Sequence, residues 1–586
     1  MRQRIKLLEE NLQKSDDEIL SYVQLYQESV KEFQDTLDSL KEESMKRELD
    51  EPVDNMPWEF WSHLLLIIDG WLLENKISSS DTELLRKMVW KRDRCIYNAC
   101  LSCKEKNEHE TISTFLRLTS SPTSPGLHIV HIAAEMAPVA KVGGLGDVVT
   151  GLGKALQKRG HLIEIILPKY DCMQYDCIQD LRALDTVVES YFDGKLFENK
   201  GWVGTVEGLP VILLSLIILE TLELLLQADK KLDIIHCHDW QTAFVAPLYW
   251  DLYAPKGLNS AQVCFTCHNF ENQGTAPASE LASCGLDVYR FNRLDRMQDN
   301  FALDKVNPVK GAIVFSNIVT TVSPTYAQEV RSAEGGRGLH STLNFNSKKF
   351  FGILNGIDTD AWNPATDTFL EVLVPTSVVE HVGCITRLVR QKGMHLIRDA
   401  LCWTLEHGGQ FVLLGSSPVA HIQREFEGIA HQFQNHDHIR LILRYDESLS
   451  HFIYAASDMF IIPSIFEPCG LTQMIAMRYG SIPIARKTGG LNDSVLDVDD
   501  DTIPLQFRNG YTFTTPDEKG VNSALERAFD HYRNNYKSWQ ELIRNDMNMD
   551  FSWESSASQY EVLYAKSTMA RAKAATSRAF STDFGL

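Results

Sequence analysis

Apolar residues in the first fifty positions follow a regular repeat. From Leu12 onward they recur in alternating steps of four and three, a spacing interrupted by Asp16 and continued by Ile19, Val23, Tyr26, Val30, Phe33, Leu37 and Leu40. A sustained period of about 3.5 residues is typical of the buried seam of a coiled coil. We therefore predict a coiled coil over residues 1–50, with a single amphipathic helix docked on the next domain as the alternative.

The pattern changes twice further along the chain. Residues 51–118 have a mixed helical pattern that contains Trp58, Phe60 and Trp61, which predicts a helical spacer. Residues 119–126, with the sequence TSSPTSPG, contain the chain breakers of a linker. From residue 127, short apolar runs end in glycine-rich turns that open helices, which is the pattern of a parallel sheet covered by helices on both faces.

Two series of these apolar runs predict two sheets. The first series lies at 127–134, 162–167, 233–236, 262–267 and 318–322, and the second at 382–385, 410–414, 439–443, 459–462 and 481–485. We predict an α/β protein in which two doubly wound, Rossmann-like domains, 127–370 and 371–545, face a cleft. A helix at 546–565 that crosses back to the first domain and a flexible tail at 566–586 complete the predicted organisation.

Composition excludes several classes of function. With 57 Lys+Arg against 78 Asp+Glu, the net charge of −21 argues against a general nucleic-acid binder. The longest apolar run, 211–219, is far shorter than the ~20 residues that cross a bilayer, so we expect a soluble protein without a transmembrane segment. The opening MRQRIKLLEENL resembles neither a signal peptide nor a transit peptide, and 12 scattered cysteines favour a reducing compartment.

A glycine turn follows the first predicted strand. In KVGGLGD, residues 141–147, adjacent glycines allow a ligand to approach the backbone, and the following helix start offers N–H groups to an anion. The dinucleotide fingerprint would need glycine at position 149, which is Val149, and the GxxxxGK[ST] pattern is also absent. A tight turn with a solvated Lys141 is the alternative interpretation.

The second half contains three further candidate elements. Arg387 and Lys392 follow a predicted strand, where fixed cations suit a departing pyrophosphate. Glu467 lies in a loop before a helix and is placed to hold sugar or ribose hydroxyls, and Gly489 and Gly490 repeat the glycine-turn device. Exposed cations that bind nothing and ordinary strand-to-helix turns are the alternatives for each element taken alone. Together the elements predict a nucleotide-diphosphate site.

Seven motifs in a fixed order resemble one family. KVGGLGD, HCHDW, FTCHNFENQG, TVSPTYAQEV, LNGIDTDAWNP, ITRLVRQKG and PSIFEPCGLTQMIAMRYGSIPIARKTGGLNDSV together resemble plant starch synthases and bacterial glycogen synthases across residues 127–565, and most closely the starch synthase IV branch. The resemblance implies a GT-B fold with the acceptor on the first domain and ADP-glucose on the second. It also implies extension of α-1,4-glucan with retention at the anomeric carbon, no cofactor or metal, and a chloroplast or amyloplast location in starch biosynthesis and granule initiation.

The resemblance also implies roles for residues at matching positions. His268 matches a catalytic histidine near the transferred glucose, and Asp147 matches a residue of the catalytic cleft. Arg387 and Lys392 match the pair of cations that stabilises the leaving ADP. Glu467 matches the acid that holds the glucose. The residues expected to contact substrate, with Tyr445 stacking on adenine, are Lys141, Gly143, Gly144, Asp239, Asn355, Tyr445, Cys469, Gly470, Leu471, Thr472, Gly489 and Gly490.

Two features of the sequence bear on alternative functions. His236 and His238 resemble a metal pair, but a strand end is the preferred interpretation. The chain is also shorter than the family pattern after Val211 and after Leu370. We expect the two missing segments to be ones that lie beside the acceptor channel or the domain hinge in this family. An inactive isoform that acts as a coiled-coil scaffold, through self-association or a protein partner, is therefore the alternative to an active glucosyltransferase.

Overall fold

The structure is a computed structural model of two separate units. It describes residues 126–215, 217–228, 231–370 and 379–583 and, before them, 58–73, 76–77, 79–90, 92, 96–97, 99–100, 111–112 and 115. One unit spans Met1–Pro125 and the other Gly126–Leu586. The predicted coiled coil at 1–50 and residues 119–125 of the predicted linker lie outside the described residues.

The amino-terminal unit contains two described helices of more than ten residues, α1 (Trp58–Leu73) and α2 (Ser79–Trp90). Trp61, Leu64 and Ile68 lie on one face of α1 because they are three and four residues apart, and they are buried together with Leu85 and Val89 of α2. Both helices fall within the predicted helical spacer.

The first sheet of the larger unit has nine strands. Their order across the sheet is β11-β10-β7-β6-β1-β2-β5-β4-β3, and every neighbouring pair is parallel except β3–β4 and β4–β5. The strands are β1 (His128–Ile132), β2 (Leu162–Pro168), β3 (Gln179–Phe192), β4 (Lys195–Val206), β5 (Leu209–Leu214), β6 (Ile234–His238), β7 (Gln262–Cys267), β10 (Ile318–Thr321) and β11 (Phe350–Gly352). A separate two-stranded ribbon pairs β8 (Ala276–Pro277) with β9 (Lys305–Val306).

The second sheet has six strands that are parallel throughout. The order is β14-β13-β12-β15-β16-β17, with β12 (His381–Ile385), β13 (Gln410–Leu414), β14 (Ile439–Ile442), β15 (Met459–Ile462), β16 (Ile482–Arg486) and β17 (Tyr511–Phe513). Both sheets reverse their strand order near the middle, and that reversal opens a crevice at the carboxyl ends of the strands. The two predicted Rossmann-like sheets are thus confirmed, and the domain bounds at 370 and 371 stay a prediction.

Helices connect the strands and cover the sheets. In the first domain they are α3 (Gly144–Lys158), α4 (Ile217–Gln227), α5 (Val245–Leu248), α6 (Glu280–Ser283), α7 (Val288–Phe291), α8 (Pro308–Phe315), α9 (Pro324–Glu329) and α10 (His340–Phe345). After it come α11 (Met394–Glu406), α12 (Ala420–Gln432), α13 (Glu447–Ala456), α14 (Thr472–Arg478), α15 (Gly489–Ser494), α16 (Glu518–Asn534), α17 (Tyr536–Asn548) and α18 (Trp553–Asp583). No helix among the described residues is long and apolar enough to span a bilayer.

The last helix, α18, returns to the first domain. Trp553, Tyr560 and Tyr564 are buried in the core that α3 and the first sheet share, and Trp553 packs so closely on Gly151 that a Cβ there would lie 2.0 Å from its indole Nε1. The crossing helix predicted at 546–565 therefore exists but begins at Trp553. It continues to Asp583, which corrects the expected tail, because residues 566–580 are rich in the helix formers Ala, Lys and Arg.

The shortened segment after Val211 forms regular structure. Strand β5 pairs with β2 on one side and β4 on the other, and α4 follows it within a few residues. Leu222 and Leu225 of α4 are buried against the sheet. Both edges of β5 are therefore paired. The second departure falls on residues 371–378, which lie outside the described residues.

Candidate active site

The first glycine turn is held by a carboxylate from its own domain. Oε2 of Glu135 accepts hydrogen bonds from the backbone N–H groups of Val142 at 3.0 Å and Gly143 at 2.9 Å. Gly144 is already the first residue of α3 rather than part of the turn, and its backbone is exposed. The turn is therefore shaped before any ligand arrives, with one exposed backbone position at the helix start.

Lys141 and Asp147, at the two ends of the motif, form an ion pair. Nζ of Lys141 lies 2.9 Å from Oδ1 of Asp147. Burial raises the pKa of Asp147, the Lys141 ammonium opposes that rise, and the carboxylates of Glu447 and Glu135 add to it. Since Glu447 belongs to the second domain, Asp147 experiences charges from both sides of the crevice.

Asp239 and His268 lie together at the carboxyl edge of the first sheet. They follow the neighbouring parallel strands β6 and β7, and Oδ1 of Asp239 accepts a hydrogen bond from the His268 backbone N–H at 3.1 Å. Asp239 adopts φ = 64°, which is strained for a residue with a side chain, and such strain often accompanies function. Burial raises the pKa of Asp239 to about 7, against hydrogen bonds from the His268 and Asn269 backbone.

Lys392 and Glu467 form the charged centre of the second domain. Nζ of Lys392 lies 2.5 Å from Oε2 of Glu467, which also accepts a hydrogen bond from the Ser464 hydroxyl at 2.8 Å. The Glu467 residue is only 6% exposed, so the pair and the serine fix its carboxylate in one place. Arg387 is exposed, and its guanidinium makes no ion pair within the described part of the chain.

The loop after Glu467 turns at a glycine in a left-handed conformation. Gly470 has φ = 73°, a left-handed conformation that suits glycine, and α14 begins two residues later at Thr472. Cys469 is buried, and its thiol interacts with the backbone of Asn355, a buried residue whose Oδ1 has no hydrogen-bond partner among the described residues. That oxygen is an unused acceptor next to the loop.

The backbone N–H groups of the second glycine turn donate hydrogen bonds to other groups of the protein. The Gly489 N–H donates to Oε1 of Glu329 at 2.8 Å, and the Gly490 N–H donates to the backbone oxygen of Glu467 at 3.0 Å. A Cβ at Gly489 would lie 2.0 Å from that same oxygen. The two glycines therefore support the Glu467 loop, and direct substrate contact by either of them stays a prediction.

Some predicted residues of the two domains lie next to one another. A Cβ at Gly144 would lie 3.6 Å from Cδ1 of Leu471, so the start of α3 and the Glu467 loop are neighbours. Tyr445, 71% exposed, donates from its hydroxyl to Oε2 of Glu447 at 2.8 Å, and its pKa is raised chiefly by burial of the hydroxyl, with Glu447 and Asp147 adding to the rise. An exposed ring beside the crevice is free to stack on a planar ligand.

Several supporting residues were not found by sequence reasoning. Glu135, Ser464 and Glu329 hold the two turns and the Glu467 carboxylate. Ser464 and Glu329 lie within quoted motifs, but none of the three was assigned a role. Ser464 lies only three residues before Glu467, so a search for hydroxyls beside the predicted acid would have found it. Glu329 lies 160 residues from Gly489, and nothing in the sequence links them.

A group of three buried histidines, His131, His236 and His238, meets the spacing of a metal site. However, both nitrogens of His236 are hydrogen-bonded, to Thr266 and Tyr564, and both nitrogens of His238 are bonded to other histidines. A metal there would have to replace these bonds. The arrangement thus favours the prediction that the two histidines of HCHDW form a strand end.

Comparisons with known proteins agree with this geometry. Residues 128–345 match the family described as the starch synthase catalytic domain, and residues 379–546 match glycosyl transferases group 1. The catalytic domain of starch synthase IV from Arabidopsis thaliana, solved bound to ADP and acarbose, has 68% identity and a TM-score of 0.73 over 76% of this chain and all of that one. A sucrose-phosphate synthase from Thermosynechococcus elongatus, 19% identical with a TM-score of 0.50, shares the fold.

Fold and crevice together define a GT-B glycosyltransferase, which confirms the predicted fold class. More closely, the chain belongs to the starch synthase and glycogen synthase family. It is 43% identical to the glycogen synthase of Protochlamydia amoebophila over 99% of that protein and 75% of this chain. It is 68% identical, over 97% of its length, to an Arabidopsis protein named probable starch synthase 4, chloroplastic/amyloplastic.

The chain spans 59% of the length of that Arabidopsis relative. The aligned stretch of 613 positions also exceeds the 586 residues of this chain by 27, so the relative has internal residues without a counterpart here. The relative is therefore longer than this chain within the aligned stretch, and the positions of the expected shortening, after Val211 and after Leu370, stay a prediction.

Proposed function

We propose that this chain transfers glucose from ADP-glucose to the non-reducing end of an α-1,4-glucan, with retention of configuration, in starch biosynthesis. The observation that carries the proposal is the fixed Lys392–Glu467 pair in a chain of this family, in which Glu467 lies four residues before Leu471, whose side chain lies beside Gly144 at the start of α3. A relative with 68% identity binds ADP and acarbose, a nucleotide and an oligosaccharide analogue of the proposed substrates.

In this mechanism the cations of the second domain act on the leaving group. As the glycosidic bond to phosphate breaks, negative charge grows on ADP and positive charge on the glucose ring. Lys392 and Arg387 stabilise the growing charge on the diphosphate, and this preorganised electrostatic contribution lowers the barrier. The Glu467 carboxylate accepts hydrogen bonds from glucose hydroxyls, held in place by Ser464 and Lys392.

Other residues orient the substrates. Lys141 contacts the nucleotide sugar, with Gly143 and Gly144 allowing close approach, and Tyr445 stacks on adenine. The backbone of Gly470, Leu471 and Thr472 offers donors to phosphate oxygens at the start of α14. Asp147, Asp239 and Asn355 line the crevice, and His268 lies near the transferred glucose.

The acceptor hydroxyl attacks from the face that ADP leaves, and the departing phosphate oxygen takes its proton. No pair of carboxylates flanks the reacting carbon in this proposal, unlike a glycosidase. We expect the reaction to need no metal ion or cofactor, since Lys392 and Arg387 supply the positive charge. Location in the plastid, a role in granule initiation and self-association through residues 1–50 belong to the same proposal, and the first is supported by the name of the Arabidopsis relative.

The test measures incorporation of labelled glucose from ADP-glucose into a short maltooligosaccharide. Lys392→Gln should lower turnover roughly 100- to 1000-fold, because one preorganised charge at the leaving group is lost. The matched control is Arg390→Gln, which removes an exposed cation from the same turn and should leave turnover unchanged. NMR of the product should show the α-anomer.

The alternative, an inactive scaffold, gives a different result. A folded protein that binds ADP but transfers no glucose, with or without added metal, would favour the scaffold. Equal turnover in Lys392→Gln and wild type would overturn the assignment of that lysine.

A further inference from the structure

We infer that a hydrogen-bonded row of three histidines, His131, His238 and His268, fixes the proton on Nδ1 of His268, so that His268 presents an N–H donor to the crevice. This inference rests on the proposed function only in giving His268 a place beside the sugar. The row itself is a feature of the first sheet, and His131 and His238 are positioning residues that touch no substrate.

The row runs from the centre of the sheet to its edge. Nδ1 of His131, on β1, lies 2.9 Å from Nε2 of His238, on the neighbouring strand β6, and Nδ1 of His238 lies 3.0 Å from Nε2 of His268. His131 and His238 are fully buried with their rings stacked at 5.2 Å, whereas His268 is half-buried. Nδ1 of His268 makes no hydrogen bond among the described residues, so it is the ring nitrogen left for a ligand.

The neighbouring polar groups do not compete for the row. His236 packs against both buried rings, but its nitrogens are bonded to the hydroxyls of Thr266 and Tyr564. The nearest carboxylate, Asp239, accepts from the backbone N–H of His268 and not from its ring. The three rings therefore share protons only with one another.

Each ring carries a single proton. Burial lowers the pKa of His131 to about 3 and that of His268 to about 3, and burial together with the surrounding histidines lowers the pKa of His238 well below its ordinary value. Three neutral rings joined by two hydrogen bonds have two arrangements. Either every Nδ1 carries the proton or every Nε2 does, because each hydrogen bond needs one donor and one acceptor.

The buried end of the row decides between the two arrangements. Nε2 of His131 is buried and has no hydrogen-bond partner among the described residues. Protons on every Nε2 would leave an orphaned N–H there, and buried orphaned N–H groups are rarer in proteins than buried acceptors without a partner. Protons on every Nδ1 leave only a lone pair at that end. This second arrangement turns the N–H of His268 toward the crevice, where it can donate to a sugar hydroxyl.

The experiment alters His131, the member of the row farthest from the substrate. In His131→Asn the amide nitrogen can take the place of Nδ1 and donate to His238. In His131→Asp the carboxylate can only accept once it is ionised, so the row must reverse at pH values above the pKa of that carboxyl. We expect His131→Asn to keep kcat within about threefold and His131→Asp to lower it roughly 10- to 100-fold, with KM for ADP-glucose little changed in both, as when a histidine is held in the wrong tautomer.

The matched control is His236→Asn, an equally buried histidine on the same sheet face but outside the row. It should keep kcat within about threefold, which separates general damage to the buried face from loss of the row. A folded His131→Asp variant with wild-type kcat would overturn the inference. If His131→Asp has wild-type kcat but His268→Ala is inactive, His268 still acts in the reaction and only the row is ruled out. If the wild type itself transfers no glucose, the result counts against the proposed function instead.

A second measurement decides the question even where a variant does not fold. NMR of the wild-type chain with isotope-labelled histidine reports which ring nitrogen of each neutral histidine is protonated. We expect the rings of His131, His238 and His268 to be protonated at Nδ1. We also expect the His268 signal to shift when ADP and an oligosaccharide bind. A His268 ring protonated at Nε2 overturns the inference.

Discussion

The two domains of the catalytic unit hold their glycine turns in different ways. In the first domain the carboxylate that accepts from the turn is Glu135, seven and eight residues before the N–H groups of Val142 and Gly143. In the second, the acceptor for Gly489 is Glu329, which ends α9 of the first domain. The first turn is therefore complete within one domain, whereas the second is complete only when both domains meet.

This difference shows what a glycine turn alone does not reveal. An N–H group at a helix start attracts an anion, and a carboxylate of the same chain meets that need as well as a phosphate does. Gly144 remains exposed at the crevice, but Gly489 and Gly490 are buried with their N–H groups engaged. The glycine pair at 143–144 thus leaves backbone exposed to a ligand, whereas the similar pair at 489–490 makes hydrogen bonds that support the protein.

Of the two turns, the first is expected to give the larger effect when its carboxylate is removed. In Glu135→Ala the N–H groups of Val142 and Gly143 lose an ionised acceptor, and hydrogen bonds to charged groups contribute ~1.5–3 kcal/mol. We expect kcat/KM for ADP-glucose to fall roughly 10- to 100-fold, mostly through KM, because the turn and Lys141 lose their fixed geometry. Steady-state kinetics of glucose transfer measure this.

A control separates this effect from general loss of acidic charge. Asp176→Ala removes an exposed acid from the same domain and should leave kcat/KM unchanged. Equal kinetics for Glu135→Ala and Asp176→Ala would mean that the first turn keeps its shape without its carboxylate, and the comparison between the two turns would fail.

A third carboxylate, Asp546 of α17, is buried without a partner in the part of the chain that the structure describes. It is 1% exposed, neither oxygen has a hydrogen-bond partner among the described residues, and burial raises its pKa well above the ordinary value. The folded protein therefore holds a proton that the unfolded chain releases, so stability falls as pH rises above about 4. Asp546→Asn should equal the wild type near that pH and exceed it by about 1–3 kcal/mol at neutral pH, as measured by urea unfolding.

The opposite sign is expected at Asp497, which serves as the control. Burial pushes its pKa up, but hydrogen bonds from Arg527 and Thr512 outweigh burial and lower the pKa overall. Its contribution is present above the ordinary pKa of about 4 and is lost as pH falls. Asp497→Asn should therefore lower stability at neutral pH and matter less in acid. If the free energy of unfolding changed with pH in the same direction for both variants, the opposite pKa shifts of Asp546 and Asp497 would be contradicted.

The buried parallel strands were predictable from sequence because each is a short continuous apolar run. Gln262–Cys267, Gln410–Leu414 and Met459–Ile462 have the predicted bounds, since both of their faces are covered. Strands β3 and β4 escaped prediction because one side of that hairpin is exposed and its sequence mixes apolar with charged residues. The signal was nevertheless present, since Asp193-Gly194, both with positive φ, is a favoured hairpin turn.

The sequence predicted which residues belong to the site, but it did not predict which of them contact each other. Motifs indicated Lys392 and Glu467 separately, but their ion pair joins positions 75 residues apart and depends on β12 and β15 being neighbours in the sheet. His131 carried no signal because a histidine in an apolar strand resembles any core histidine. Its meaning appears only when β1 and β6 lie side by side.

The smallest effect is expected at the turn that depends on both domains. Glu329→Gln keeps an oxygen for the Gly489 N–H but removes the charge, which at a helix start contributes ~0.3–1 kcal/mol. We expect kcat/KM to fall roughly two- to fivefold at low ionic strength and the loss to shrink in high salt, since salt screens charge but not shape. Glu334→Gln, which alters an exposed acid five residues later, should show neither effect. A loss in Glu329→Gln that salt does not change would mean that the carboxylate acts through packing, and the second turn would then resemble the first in needing only an acceptor of the right shape.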